Sequence, residues 1–226
     1  MKLASLFSGG KDSVFSMYLA VQSGHEVPYL VTVKPENDSS WVFHVPNVDT
    51  VGVTAEALGA ETSEAFTDGT EAGDMRALAE ALGGLDIDGV VTGAVLSDYQ
   101  SDRINRVCGD LGLAVFSPMW RKDQYSLLRE IIDSGIEAYI IGYYAEGFDS
   151  SWLGRKIDEK TAGDLLELNG KYGVSVMGEG GEYETLVTDS PMHGYPLKMR
   201  PFEKTVSARS GTMIAELMPD SAGNSL

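Results

Sequence analysis

The sequence predicts an α/β fold: a doubly wound parallel sheet followed by a smaller α+β domain. Three observations carry that expectation. Short apolar or β-branched runs alternate with helix-period segments through residues 1–121. The first run, Leu3–Phe7, passes into Ser8-Gly9-Gly10-Lys11-Asp12-Ser13 and then an apolar-periodic segment, a strand–turn–helix order. Beyond residue 122 the pattern changes, ending in a proline-punctuated stretch and a hairpin signal.

The elements follow in order. Leu3–Phe7 reads as a strand and Val14 to Gln22 as a helix closed by Ser23-Gly24. Val27–Val33, bounded by Pro35, is a second strand, so the spacing makes a right-handed βαβ unit with parallel strands. Val51 to Leu58 reads as a helix ended by Gly59, Glu61–Ala65 as a short strand, and Asp74 to Leu82 as a helix stopped at Gly83-Gly84. Val90–Gly93 is a buried strand emptying into the loop Ala94 to Gln100, with a helix then running to about Leu111. Ala114–Phe116 is stopped by Pro118, and Trp120 is expected to be a buried anchor between domains. Composition shifts at Arg121-Lys122-Asp123-Gln124, which divides the chain into domains 1–121 and 122–226. The second half opens with a helix, Tyr125 to Ser134, and a strand, Ala138–Gly142. A helix from Glu159 to Tyr172 follows, capped by Asp158 or Thr161 and ended by Gly173, and Val174–Met177 reads as a strand. Leu186-Val187 resumes a strand, Pro191, Pro196 and Pro201 mark turns, and Thr205 to Leu217 reads as a closing hairpin about Ser210-Gly211.

Composition narrows the function classes. A formal net charge of −17, from 34 acidic and 17 basic residues, repels nucleic acid and disfavours a tRNA substrate. It suits either a high-salt cytoplasm or an ordinary acidic surface. Cys108 is the only cysteine, which excludes intramolecular disulfides and cysteine-cluster metal sites. No run of eighteen apolar residues is present, and Met1-Lys2 leads directly into the first strand, so neither a membrane span nor a signal peptide is expected. The expected compartment is the cytoplasm.

Two stretches carry chemistry. In Ser8–Ser13 the glycines let backbone approach an anion, and the helix N-terminus points its N–H groups and positive dipole end at it. Lys11 supplies a mobile positive charge, Ser13 a helix cap and Asp12 a magnesium ligand. The Walker A pattern fails here: its first glycine would fall on Ser5, and Asp12 stands where Ser or Thr should follow the lysine. The second stretch, Gly178-Glu179-Gly180-Gly181-Glu182-Tyr183-Glu184-Thr185, combines three glycines able to wrap a ligand with three carboxylates. Those carboxylates offer magnesium ligands or partners for a cation. Ligands of open parallel sheets sit at the carboxyl ends of strands, so Gly93, Asp98, Tyr99 and Arg103 should lie near a nucleotide bound at Gly9-Gly10. Arg103 could grip a phosphate bidentately.

Ser8–Ser13 resembles the SGGxDS loop of the PP-loop ATP pyrophosphatases, which cut ATP between the α- and β-phosphates. Together with Gly178–Thr185 it is similar to one family among them, the diphthine–ammonia ligases. Gly93-Ala94, Ser97-Asp98-Tyr99-Gln100, Ser117-Pro118-Met119-Trp120 and Ser151-Trp152-Leu153-Gly154-Arg155 support that resemblance over nearly the whole chain. Asn105 departs from it, standing where the family usually has Glu.

The resemblance implies a HUP/PP-loop, Rossmann-like first domain and a C-terminal substrate domain. It implies amidation of diphthine on translation elongation factor 2 with ATP, Mg2+ and ammonium, through an acyl-adenylate. Lys11, Asp12, Glu179, Glu182 and Glu184 are then catalytic candidates, with Asp12 on the metal. Ser8, Gly9, Gly10, Lys11, Asp12, Ser13, Gly93, Asp98, Tyr99, Arg103, Gly178, Gly180, Gly181, Tyr183 and Thr185 are nucleotide-site candidates. His44, in Trp41-Val42-Phe43-His44, is a secondary one, since the family usually places a histidine there. Arg155, Lys156, Lys198 and Arg200 form a candidate patch for the protein substrate. A homo-oligomer is left open. A PP-loop pyrophosphatase acting on another carboxylate or tRNA, and a non-catalytic adenine-nucleotide sensor, are the competing readings.

Overall fold

A computed structural model describes residues 1–35 and 50–220. The strands of the first half are β1 (Lys2–Leu6), β2 (Glu26–Pro35), β3 (Glu61–Thr67), β4 (Gly89–Val91) and β5 (Ala114–Phe116). They form a five-stranded sheet in the order β3-β2-β1-β4-β5, and every pairing is parallel. Helices α1 (Lys11–Gln22), α2 (Val51–Leu58), α3 (Glu71–Leu82) and α4 (Asp98–Leu111) cover it. Successive strand side chains point to opposite faces, so a sheet covered on both sides needs apolar or small residues at successive positions. β1 shows this: Leu3 packs with Val14 and Phe15 on one face, Ala4 with Val31 and Val90 on the other.

The second half adds α5 (Gln124–Asp133), β6 (Glu137–Tyr143), α6 (Glu159–Tyr172), β7 (Tyr183–Asp189), β8 (Leu197–Val206) and β9 (Gly211–Pro219). Its strands pair antiparallel in the order β7-β6-β9-β8. This is the smaller α+β unit expected after the parallel sheet. Ile140, Leu186 and Met213 join Leu3 and Phe15 in one apolar cluster, so burial runs continuously between the two sheets. Pro201 sits inside β8 and not in a turn. It is tolerated because β8 is an edge strand with a register shift between Pro201 and Glu203.

Three local expectations need correction, and one alternative is resolved. Val174–Met177 is not a strand, although Val174, Val176 and Met177 are buried. Side chains bond its backbone where a ladder would: Gln124 Oε1 accepts from Met177 N at 3.1 Å, and Tyr183 OH donates to Val176 O at 2.7 Å. Met119 is fully buried at the proposed anchor while Trp120 is only half-buried. Helix α1 begins at Lys11 on the Gly10 N-cap, so Ser13 lies inside the first turn and its hydroxyl donates to Gly10 O at 2.9 Å. Asp158, not Thr161, caps α6, accepting from Thr161 N at 2.8 Å.

Candidate active site

The strand order reverses between β1 and β4, and the turns that follow those two strands open one cavity of about 490 Å³. That is the crevice in which ligands of open parallel sheets bind, and the volume suits a small molecule. Ser8, Asp12 and Ser13 form one wall, and Gly93, Tyr99 and Arg103 a second. Gly178, Glu179, Gly180, Gly181 and Glu184 close it from the second half. The two chemistry-bearing stretches therefore share a cavity although some 170 residues of chain separate them.

Local backbone geometry brings the first stretch there. Gly9 has φ +80°, a left-handed conformation that L side chains rarely adopt, and it turns β1 into α1. Gly93 makes a close approach: a Cβ on it would lie 2.9 Å from the Asp12 carbonyl carbon and 3.1 Å from Ser13 N. Only glycine lets the end of β4 press against the first turn of α1.

The second stretch is tied to the first by buried bonds. Thr185 Oγ1 accepts from Lys11 N at 3.1 Å, and Gly9 O accepts from Val187 N at 3.0 Å. Lys11 is 2 % exposed, so its ammonium is not a mobile charge. Its Nζ donates to Met177 O at 2.6 Å and to Asp12 Oδ2 at 2.9 Å, and sits 4.9 Å from the centre of the Tyr183 ring. Burial alone would lower its pKa, but the Asp12 carboxylate and Tyr183 outweigh burial and the pKa is raised. Lys11 stays charged and acts by its field and as a tether.

The three glutamates of the second stretch divide into separate tasks. Glu182 does not line the cavity: its carboxylate accepts from Ser175 N at 2.9 Å and Gly180 N at 2.8 Å, bracing the loop. Glu179 lines the cavity while its Oε2 accepts from Val95 N at 3.1 Å and Leu96 N at 3.0 Å, clamping this loop to the one after β4. Burial raises the Glu179 pKa against those N–H donors. Glu184 also lines the cavity, and burial pushes its carboxyl up to about 7, with Lys11 pulling down and Asp12 pushing up. A carboxyl that burial holds near neutrality has the proton affinity that general-base chemistry calls for.

Other expected residues fall differently. Asp98 does not line the cavity: it pairs with Arg121 at 3.1 Å, both side chains exposed. Arg103 lines the cavity but is held by Glu71 at 2.7 Å and by Tyr99 O at 2.9 Å. Tyr183 and Thr185 lie buried beneath the loop, and burial pushes the Tyr183 hydroxyl up to about 12. Gly10 packs against Thr185. Asn105 turns to its own helix, donating to Ser101 O at 2.8 Å. His44 lies outside the described residues. In the proposed docking patch Arg155, Lys156 and Arg200 are already paired with Asp164, Glu137 and Glu216.

Sequence reasoning missed Gln124, whose Oε1 accepts from Ser175 Oγ at 2.8 Å as well as from Met177 N, and it missed Asp74, a buried carboxylate on the cavity wall. No sequence signal marks Gln124. The carboxyl-end rule, applied to β3 as it was to β4, would have found Asp74.

The cavity can hold a metal in company with a ligand. Asp12 Oδ1 is buried with no hydrogen-bond partner, as a cation-binding oxygen would be. Among the described residues no cluster of three or more His, Cys, Asp or Glu could hold an ion alone. Magnesium commonly takes one or two carboxylates with the rest of its shell from phosphate and water, so the donor set fits that ion with a bound nucleotide.

The chain matches the family models described as diphthamide synthase N-terminal domain, over residues 1–115, and diphthamide synthase C-terminal domain, over residues 123–217. It belongs to the diphthamide synthase family. Relatives named diphthine–ammonia ligase are 36% identical in Rattus norvegicus, over 85% of this chain and 80% of that one. In Danio rerio the figures are 36%, 85% and 84%, and in Homo sapiens 34%, 85% and 80%. In this family member the Ser8–Ser13 and Gly178–Thr185 stretches both contribute residues to one cavity. No helix among the described residues is long and apolar enough to cross a membrane.

Proposed function

We propose that this chain is an ATP-dependent amide ligase that completes diphthamide, converting the carboxylate of diphthine on translation elongation factor 2 to an amide with ammonium. One observation carries this reading. Glu184, with its pKa near 7, faces the same cavity as the Ser8–Ser13 turn. A carboxylate is a poor electrophile and needs activation before an amine attacks it. Residues 1–121 would supply the ATP-binding half and residues 122–226 the base and the acceptor side, in the cytoplasm.

In the proposed course a diphthine carboxylate oxygen attacks the α-phosphorus of ATP, the bond to the β-phosphate breaks, and pyrophosphate leaves. Ammonia then attacks the acyl carbon of the adenylate and AMP departs. The turn after β1 would hold the phosphates on first-turn N–H groups of α1 other than that of Lys11, which Thr185 already takes, in the field of the Lys11 ammonium. Asp12 Oδ1 would hold Mg2+, which when bound neutralises phosphate charge and stabilises the leaving pyrophosphate. The cavity wall carries four carboxylates, of Asp12, Asp74, Glu179 and Glu184, against one arginine, Arg103. Such a wall disfavours free ATP and favours its magnesium complex and an ammonium ion. Glu184 takes the proton that ammonium must lose before its nitrogen has a lone pair to attack with.

The test mixes protein, Mg-ATP and ammonium with diphthine-bearing elongation factor 2 and follows AMP and pyrophosphate. Release that requires both the factor and ammonium is expected. Release with a different carboxylate acceptor, or none with any, overturns the assignment of substrate or of catalysis respectively.

A further inference from the structure

We infer that Asp74 reads the nucleobase, its bare carboxylate oxygen accepting a hydrogen bond from the exocyclic amino group of adenine in the cavity. The inference rests on the proposed binding of ATP there. Asp74 is 4% exposed and lines the cavity. Its Oδ1 accepts from the hydroxyl of Thr67, itself 2% exposed, at 2.6 Å, which fixes the carboxylate plane. Its Oδ2 is buried and has no hydrogen-bond partner. A buried acceptor without a donor is costly and rare, and a ligand that brings a donor relieves that cost.

Topology selects which part of a nucleotide arrives. The phosphates would sit at the turn between β1 and α1, beside Ser8 and Ser13. Asp74 lies in α3, just beyond the carboxyl end of β3, which is two strands away from β1 in the order β3-β2-β1. Two strand spacings amount to about 10 Å. A nucleotide laid across the carboxyl ends of β1 and β2 therefore brings its base to Asp74. Val31, Val33, Met75 and Leu78 line the cavity around that end and would pack on the faces of a base. Adenine offers an amino donor there, whereas a 6-oxo purine turns an acceptor towards the carboxylate oxygen.

The experiment measures equilibrium binding of Mg-ATP, Mg-ITP and Mg-2′-deoxy-ATP without a carboxylate acceptor, to wild-type protein and to Asp74→Asn. The variant keeps an oxygen for Thr67 and places an amide N–H where Oδ2 was. Wild type should prefer ATP to ITP by about tenfold to a hundredfold, the range for a hydrogen bond to a charged group. The variant should abolish or invert that preference, with 2′-deoxy-ATP following ATP in both proteins. Purine riboside triphosphate, which has no 6-substituent, should bind wild type about as poorly as ITP, so the idea remains testable if the variant does not fold. Equal effects of the variant on ATP and ITP, or a loss that tracks the 2′-hydroxyl, would overturn the role of Asp74 alone. If neither nucleotide binds wild type, the nucleotide reading of the cavity falls, and this inference with it.

Discussion

Replacing Lys11 with Met tests the claim that this ammonium is a tether between the two halves. Methionine keeps an unbranched stem of similar length but deletes the charge. Three contacts disappear: the bond to Met177 O at 2.6 Å, the pair with Asp12 at 2.9 Å, and the approach to the Tyr183 ring at 4.9 Å. The charge-assisted bond to a carbonyl contributes about 1.5–3 kcal/mol, and Met177, 1% exposed, cannot turn its carbonyl to water. The ring contact adds about 1 kcal/mol. Relief of the ammonium's own desolvation offsets part of this, and Asp12, with 31% of its side chain exposed, recovers water. A net loss of about 1.5–3 kcal/mol follows from those ranges. For a chain of this size it should appear as a fall of about 3–12 °C in Tm, at about 2–4 °C per kcal/mol. Urea unfolding with an unchanged m-value measures it directly. A second readout is independent of stability: Lys11 lowers the pKa of Glu184, so in the variant Glu184 should titrate above about 7, followed by carboxyl 13C NMR. Stability within about 0.5 kcal/mol of wild type, the scatter of ordinary surface substitutions, together with an unmoved Glu184, would refute the tether.

Two further variants probe the same geometry. The Glu184 carboxyl has a folded-state pKa raised from 4.5 to about 7, so its contribution to stability is complete below 4.5 and is lost as pH rises through about 7. Glu184→Gln does not titrate, so it should gain on wild type in urea stability between those pH values and keep the advantage above them. The same variant should lose about a hundredfold or more in turnover and lose the rise of kcat/KM through pH 7; a wild-type pH profile in the variant would remove Glu184 as the base. Gly93→Ala forces a Cβ to 2.9 Å from the Asp12 backbone, which cannot yield as a side-chain tip can. It should cost about 1–3 kcal/mol and weaken ATP binding in the same titration, and unchanged binding would contradict the tight seam between β4 and α1.

Much of this molecule was legible in one dimension. The βα alternation, the parallel first sheet, the glycine stops at Gly59 and Gly173, and the glycine turn between β1 and α1 all follow from local sterics and apolar periodicity, which act over a few residues. The glycines of the Glu-rich stretch marked irregular backbone, and Gly178–Gly181 do form a loop on the cavity, whereas Tyr183 and Thr185 are buried in β7. Where local reasoning failed, a distant partner had intervened. Val174–Met177 has strand composition, yet Gln124, Tyr183 and Lys11 take its backbone groups and no ladder forms. Glu179, Glu182 and Glu184 are chemically alike in sequence and differ only in what surrounds them.

The sequence by itself determined most of the elements and the two motifs, since each depends on neighbours within a turn or a strand. Tertiary structure alone decided that Lys11 is locked, that Glu182 braces while Glu184 titrates near neutrality, and that Asp74 keeps an oxygen bare in the cavity. Burial and charge fields are set by atoms brought close through folding, and separation along the chain carries no record of them.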